Sequence, residues 1–506
     1  MAERALEHAA SVDTVYDLLS SEYRGPALID VNGTVFDHPT LRSEVDRLAV
    51  ELRALGLGPG DRIAIVLPNG PEMVFALLAA MAVGCAAPLN PKYREDEFRF
   101  YLDDLEAAAL LAFEGSAPDA RAATPDTTIL IDVRSDGGTV ELVVPTGAPS
   151  TRTHTSDRPG PDDQALVLHT SGTTSRPKIV PLRQRNLASS ARNIARSLEL
   201  TEHDRALAVM PLFHIHGIMA STLAPLSAGA AVIATTGFDA FKFHRWIAEL
   251  QPTYYTAVPT MHQMVLARAG DRGTTSLRFV RSSSASLPGA VLDELHELFD
   301  VPVIEAYGMT EASHQMTCNP LPPRSTKPGS VGIPTGIEVT ILDKDGNELP
   351  RGTRGEVSIK GPSVVDGYEN NPTANAAAFT NGWFRTGDEG MLDDDGYLFL
   401  TGRLKEQINR GGEKISPLEI DDVVLRHPEV AEAVAFAIPH DKLGEDVGLA
   451  AVRVAGSELS EKELRDYLSA QLAAFKLPRT ILFVDEIPKG ATGKVQRIGL
   501  AGRLGL

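Results

Sequence analysis

The stretch HTSGTTSRPKIVPL, from His169, gathers the hydroxyls of Thr170, Ser171, Thr173, Thr174 and Ser175 around Gly172 and follows them with Lys178. Small donors beside a fixed cation are a poor recipe for a buried helix and a good one for holding phosphate oxygens. A Walker loop requires glycine, four residues, then Gly-Lys-Ser/Thr. Here Lys178 follows Pro177 and precedes Ile179, so that pattern fails. Taken alone, the loop leaves a solvated surface turn open.

Histidines form the second group of candidates. His214 and His216 lie in PLFHIHGI, and His314 lies in TEASHQM. In extended backbone His214 and His216 project to the same side. That spacing invites a metal, but no third ligand stands at suitable spacing, and packed histidines with satisfied nitrogens are the plain alternative.

The background is that of an ordinary globular chain. At 506 residues it is too long for one core and implies two or more domains. Hydrophobic residues make up 43% and charged residues 23%, and the formal net charge is −19. That charge argues against nucleic acid or an anionic membrane as partner, while leaving room for a local basic site. Cys85 and Cys318 are too few and too far apart for a disulfide framework or a zinc cluster, so a reducing, cytoplasmic setting is expected. The N-terminal stretch carries acids early and lacks the apolar core of a secretory signal. AGRLGL at the C-terminus matches neither a peroxisomal nor an endoplasmic-reticulum address. The run MVFALLAAMAVGCAAPL from Met73 is broken by Gly84 and predicts a buried helix leading into a strand, not a membrane span.

The elements that must position the candidates alternate. Leu41, Val45, Leu48, Leu52 and Leu55 recur at helical spacing; RIAIVL from Arg62 reads as a strand, and Pro71 opens the Ala-rich helix. Such units build a largely parallel sheet with helices on its faces. From Gly115 to about Asp163 the composition predicts irregular connection with some exposed strand. ALVLHT from Ala165 is a buried strand running into the Ser/Thr loop, with QRNLASSARNIARSL as the helix beyond. The loop is thus expected at a strand-to-helix turn, where open α/β sheets bind ligands. Near Gly402 the character changes. Ser416, Pro417 and Glu419 predict one capping box and Ser460 with Glu463 a second, whose helix buries Leu464, Leu468, Leu472 and Phe475. VAEAVAFAI and GLAAVRV read as strands of the same compact α+β unit.

Four further motifs follow the loop in order: EAYGMTEAS from Glu305, WFRTGDEG from Trp383, GRLKEQINRGGEKISPLEI from Gly402 and IPKGATGKVQR from Ile487. Together they resemble the signatures of the adenylate-forming enzymes, the superfamily of acyl-CoA synthetases, luciferases and adenylation domains. The resemblance implies a large N-terminal domain of parallel and mixed sheets flanked by helices (1–402), a hinge (403–406) and a small mobile α+β domain (407–506). It implies two half-reactions: a carboxylate attacks the α-phosphate of ATP, giving an acyl-adenylate and pyrophosphate, and the thiol of coenzyme A then displaces AMP.

By position in the matched motifs, Thr170, Ser171, Gly172, Thr173, Thr174 and Lys178 hold the β- and γ-phosphates. Thr310 touches the α-phosphate, and Glu311 binds Mg²⁺. Ser284, Ala285 and Ser286 line the adenine beside Glu305, Ala306, Tyr307, Gly308 and Met309; Tyr307 offers its ring to the base or serves the core. Asp388 accepts from the ribose, assisted by Arg403. Lys494 is the catalytic lysine of adenylation, Lys405 the hinge, and Gly411, Gly412 and Glu413 flank the coenzyme A passage. Ser175 and Ile179 stand where the family usually has glycine.

The same segments resemble the oxalate–CoA ligase branch, with Gly308 where that branch's plant members have alanine. The branch implies oxalate as substrate, with His214 and His314 as partners of its second carboxylate and Ser284 or Ser286 as extra donors. A charged carboxylate must be paired when desolvated, and histidine can donate two hydrogen bonds and carry charge near neutral pH. Another acyl-CoA synthetase, an adenylation enzyme loading a carrier protein and a catalytically dead relative are the rivals. The expected partners are a small carboxylate, ATP and coenzyme A, with the chain a monomer or homodimer.

Overall fold

In the segment Pro71–Val83 every side chain except Glu72 is buried. A helix apolar all round belongs inside a protein. It lies between two sheets and feeds directly into the strand Cys85–Pro88. The computed structural model describes residues 13–136, 139–144, 157–170, 177–270, 275–489 and 495–506.

The first sheet has seven strands in the order 139–143, 129–136, 109–113, 62–66, 85–88, 164–170 and 178–183. Its inner neighbours pair parallel, and both edge pairings are antiparallel. The second sheet has nine strands, 333–334, 314–318, 303–309, 279–283, 254–257, 205–208, 231–234, 26–30 and 35–37, with a parallel centre. Its strand ends carry the Ser/His and Tyr-Gly-Met-Thr segments. Parallel strands covered by helices on both faces explain the continuous apolar runs. A third, antiparallel sheet spans Glu338–Arg403, and a fourth, built from strands between Ile408 and Phe483, forms the small C-terminal unit with its own core.

Three local expectations are corrected. The region after Gly115 contains a short helix, Pro118–Ala122, and a strand, Ile129–Asp136, whose Ile129, Ile131 and Val133 are buried. The Ser/Thr loop is not a strand-to-helix turn: the chain returns as the antiparallel strand Lys178–Arg183, with Lys178 opposite Thr170, before the helix Gln184–Ser197 begins. The chain leaving the loop therefore enters a strand and not a helix. Ser416 does not cap its helix; its hydroxyl donates across to the Thr401 carbonyl, and Glu419 pairs with Lys476. The second capping box, Ser460 with Glu463, forms as expected, although Phe475 lies at the surface. Among the described residues no helix is long and apolar enough to cross a membrane.

Candidate active site

The third and second sheets meet around two carboxylates. Asp388 and Arg403 face each other on adjacent antiparallel strands, with Arg403 Nε 3.1 Å from Asp388 Oδ1. Tyr307, at the end of the strand Val303–Met309, donates its hydroxyl to Asp388 Oδ2 at 2.5 Å. Burial, then the Asp388 charge, pushes the Tyr307 pKa well up, so the phenol remains a donor. Glu311 sits in the short 3₁₀ turn Thr310–Ala312, and its carboxylate accepts from the Tyr368 hydroxyl at 2.7 Å. Lys178 Nζ stands 4.1 Å over the Tyr368 ring. Burial lowers the Lys178 pKa, Glu311 opposes that shift and Lys405 adds to it, so all three charges share one neighbourhood. Tyr368 escaped the sequence reading, being a lone aromatic with no motif around it.

Ser171 to Thr174 and Lys494 lie outside the described residues. The ends of their segments are placed: Thr170 and Lys178 close one, and Lys489 bridges to Val495 across the other. Arg497 ties the latter to the chain after Arg403, with Nε 3.2 Å from Glu406 and Nη2 2.6 Å from Asp421.

The histidines are rearranged relative to expectation. His214 and His216 are not in a strand: His214 precedes the helix Ile215–Ile218 and His216 lies within it, so they do not share a side. His216, which had no role, stacks on His314 at 4.6 Å and 21° between ring planes. His214 packs against Phe213. Beneath the stacked pair lies a residue that sequence reasoning missed. Arg281, on the strand Phe279–Ser283, is fully buried. Its Nη2 donates to His314 Nε2 at 3.1 Å and to Gln315 Oε1 at 2.9 Å, and its Nη1 to Thr256 Oγ1 at 2.9 Å and His216 Nε2 at 3.3 Å. His216 Nδ1 is 3.0 Å from Ser284 Oγ. Ala285 and Ser286 are exposed. Among the described residues no three His, Cys, Asp or Glu side chains gather as a metal site.

Surrounding contacts hold this corner in strained backbone. Ser313 and His314 both have positive φ, 53° and 92°, and Ser284 has 74°. Such conformations cost non-glycine residues about 1 to 3 kcal/mol each and persist where surrounding contacts enforce them. Ser313 is so enforced, its hydroxyl donating to the Ser363 carbonyl and its own carbonyl accepting from Ser190. Gly308 is the reciprocal feature: a β-carbon there would lie 2.0 Å from the His314 carbonyl oxygen. In the C-terminal unit, Gly411 and Gly412, with φ of 62° and 102°, join paired residues Arg410 and Glu413. Two consecutive positive φ values are what a two-residue type I′ hairpin demands, so this turn alone accounts for both glycines. Glu413 is exposed, and Glu305 is buried with its Oε1 3.4 Å from the Leu287 amide.

Asp388, Arg403, Tyr307, Glu311 and Lys178 gather where two of the sheets meet, and a small unit with its own core follows in the chain; the comparisons place this arrangement in a family. The AMP-binding enzyme family matches residues 22–369 and its C-terminal domain matches residues 419–494; the chain belongs to this family. It is 47% identical to oxalate–CoA ligase of Arabidopsis thaliana over 91% of this chain and 92% of that one. It is 42% identical to oxalate–CoA ligase of Saccharomyces cerevisiae over 86% of each. O-succinylbenzoate coenzyme A synthetase of Bacillus subtilis, solved with ATP and magnesium, superimposes with a TM-score of 0.82 at 31% identity, over 96% of this chain and 98% of that one. The chain is an AMP-forming acid–thiol ligase that uses ATP, Mg²⁺ and coenzyme A.

Proposed function

We propose that this ligase activates oxalate: oxalate, ATP and coenzyme A give oxalyl-CoA, AMP and pyrophosphate. The observation that carries the reading is the stacked His216–His314 pair on a buried guanidinium, four residues beyond Thr310. A polar, cation-backed end suits an acid whose second carboxylate must be paired once water is excluded, and it is hostile to an aliphatic tail. The names of the two relatives point the same way. One change to the carboxylate partners follows: His314 keeps its role, and His216 replaces His214 beside it.

Around this end the roles fall as the motifs suggest. Thr170, Ser171, Gly172, Thr173, Thr174 and Lys178 hold the departing pyrophosphate. Glu311, oriented by Tyr368, binds Mg²⁺, which supplies positive charge to the phosphate oxygens. Thr310 and Lys494 stabilise charge developing at the α-phosphate. Asp388, held by Tyr307 and Arg403, takes the ribose hydroxyls, while Ser284 to Ser286 and Glu305 to Met309 line the base. The protein supplies no nucleophile, so its work is positioning and charge. Rotation of the unit beyond 403–406, about Lys405, then withdraws Lys494 and presents Gly411, Gly412 and Glu413 to coenzyme A. Mass spectrometry of the product tests the assignment: oxalyl-CoA must form with Mg-ATP, oxalate and coenzyme A. An adenylate that transfers only to a protein thiol favours the carrier-loading rival instead.

A further inference from the structure

We propose that Arg281 is a specificity-determining positioning residue: it supplies the fixed positive charge for the substrate's non-reacting carboxylate, relayed by His216 and His314 held as neutral Nδ1–H donors. This rests on the oxalate reading above. A guanidinium donates and never accepts. Every nitrogen that faces it must therefore present a lone pair. His314 Nε2 and His216 Nε2 both do so, at 3.1 and 3.3 Å, which leaves the single proton of each imidazole on Nδ1. The Thr256 hydroxyl fits the same order. It accepts from Arg281 at 2.9 Å and gives its own proton to His216 Nε2 at 2.7 Å. Gln315 is fixed as an acceptor too, because its amide nitrogen is engaged by Ser197 and Thr335.

The two Nδ1 atoms point away from the guanidinium. That of His216 meets Ser284 Oγ at 3.0 Å. That of His314 lies 3.2 Å from where a β-carbon on Gly308 would stand, against the turn that leads to Thr310. Neither ring can become an imidazolium without breaking its bond to Arg281 and setting two cations together in a buried space. The positive charge attributed to histidine in the sequence therefore resides on arginine.

Among the described residues that charge has no carboxylate counter-ion. The hydrogen-bond partners of Arg281 are neutral, and the ionisable group that most favours its charge, the Cys318 thiol, is itself pushed up by burial and so kept protonated. Its Nε, also buried, makes no hydrogen bond among the described residues. Arginine does not shed its proton to relieve burial. The site thus holds one uncompensated cation until a second carboxylate arrives. A monocarboxylate of equal size fills the space and leaves the cation buried, which is discrimination by penalty as much as by attraction.

The test compares oxalate with oxamate, its neutral-ended amide, by pyrophosphate release in the full-length enzyme. Wild type favours oxalate in kcat/KM by about 100-fold, the scale of a buried charge losing its partner. Arg281→Met removes most of that preference through KM for oxalate, keeps the KM for ATP and leaves oxamate nearly unchanged; Arg281→Lys restores part of it. Equal losses with both acids, or an unchanged preference, overturn the proposal. Should the variants not fold, ¹⁵N-histidine NMR of the wild type decides the matter. Nδ1–H tautomers for His216 and His314 from pH 6 to 8 support it, and an Nε2–H tautomer or an imidazolium in that range overturns it. Wild-type inactivity on oxalate with activity on another acid rejects the oxalate reading instead, and the tautomer result still decides the role of Arg281.

Discussion

Tyr307 donates its hydroxyl to Asp388 at 2.5 Å, joining a strand of the nine-stranded sheet to a strand of the third sheet. Arg403 completes the clamp from the opposite strand. The two readings open for Tyr307 from sequence were a ring for the base and core filling; the structure adds a polar contact to Asp388 that neither named. Tyr307→Phe deletes one charge-assisted hydrogen bond, worth about 1.5 to 3 kcal/mol. The expected result is a KM for ATP raised roughly tenfold or more, with the KM for the acid little changed. Steady-state kinetics in both substrates checks this, and an unchanged KM for ATP contradicts it.

Gly308→Ala places a β-carbon 2.0 Å from the His314 carbonyl oxygen, so the His314 backbone must move. Overpacking of this kind costs about 1 to 3 kcal/mol. The KM for the acid should rise several-fold while calorimetric ATP affinity holds. Loss of ATP affinity by the same factor would show that the displacement reaches the nucleotide motif first.

Glu305 gives the apo-enzyme a pH signature. Burial pushes its carboxyl up from 4.5 to about 7, the Leu287 amide opposes that shift and the Asp422 charge adds to it. The folded state then keeps a proton that the unfolded chain releases. This contribution to stability is complete below pH 4.5 and is lost as pH rises through 7. Relative to Glu305→Gln, wild type should lose up to about 3 kcal/mol between pH 5 and 8, measured by urea unfolding. Parallel profiles for the two proteins contradict the assignment.

The proposed role of Lys494 is confined to the first half-reaction. Lys494→Ala should abolish adenylate formation yet spare thioester formation from a supplied acyl-adenylate, since the rotated unit no longer needs that lysine. Loss of both steps argues against rotation about Lys405.

Much of the fold was legible because its rules are local. Helical spacing from Leu41 and the Pro71 start produced the helices His38–Ala54 and Pro71–Val83. The return strand Lys178–Arg183 was hidden by Pro181, which a sheet tolerates at its edge, where this strand lies. Ser416 has the composition of a cap, but its hydroxyl donates to the nearby Thr401 carbonyl instead. Arg281 could not be read as a site residue. Its partners sit 65 residues before it and 33 after, and only the sheet order brings them together. An arginine directly after the apolar pair Phe279 and Val280 was the one available hint.

The identity of the acid defines the reaction. Pyrophosphate release with Mg-ATP and coenzyme A, measured as kcat/KM across oxalate, acetate, malonate and coumarate, tests it most directly. Oxalate should exceed each of the others by at least about tenfold, the ratio given by 1.4 kcal/mol of differential binding. Oxalate performing no better than acetate, malonate or coumarate would contradict the account.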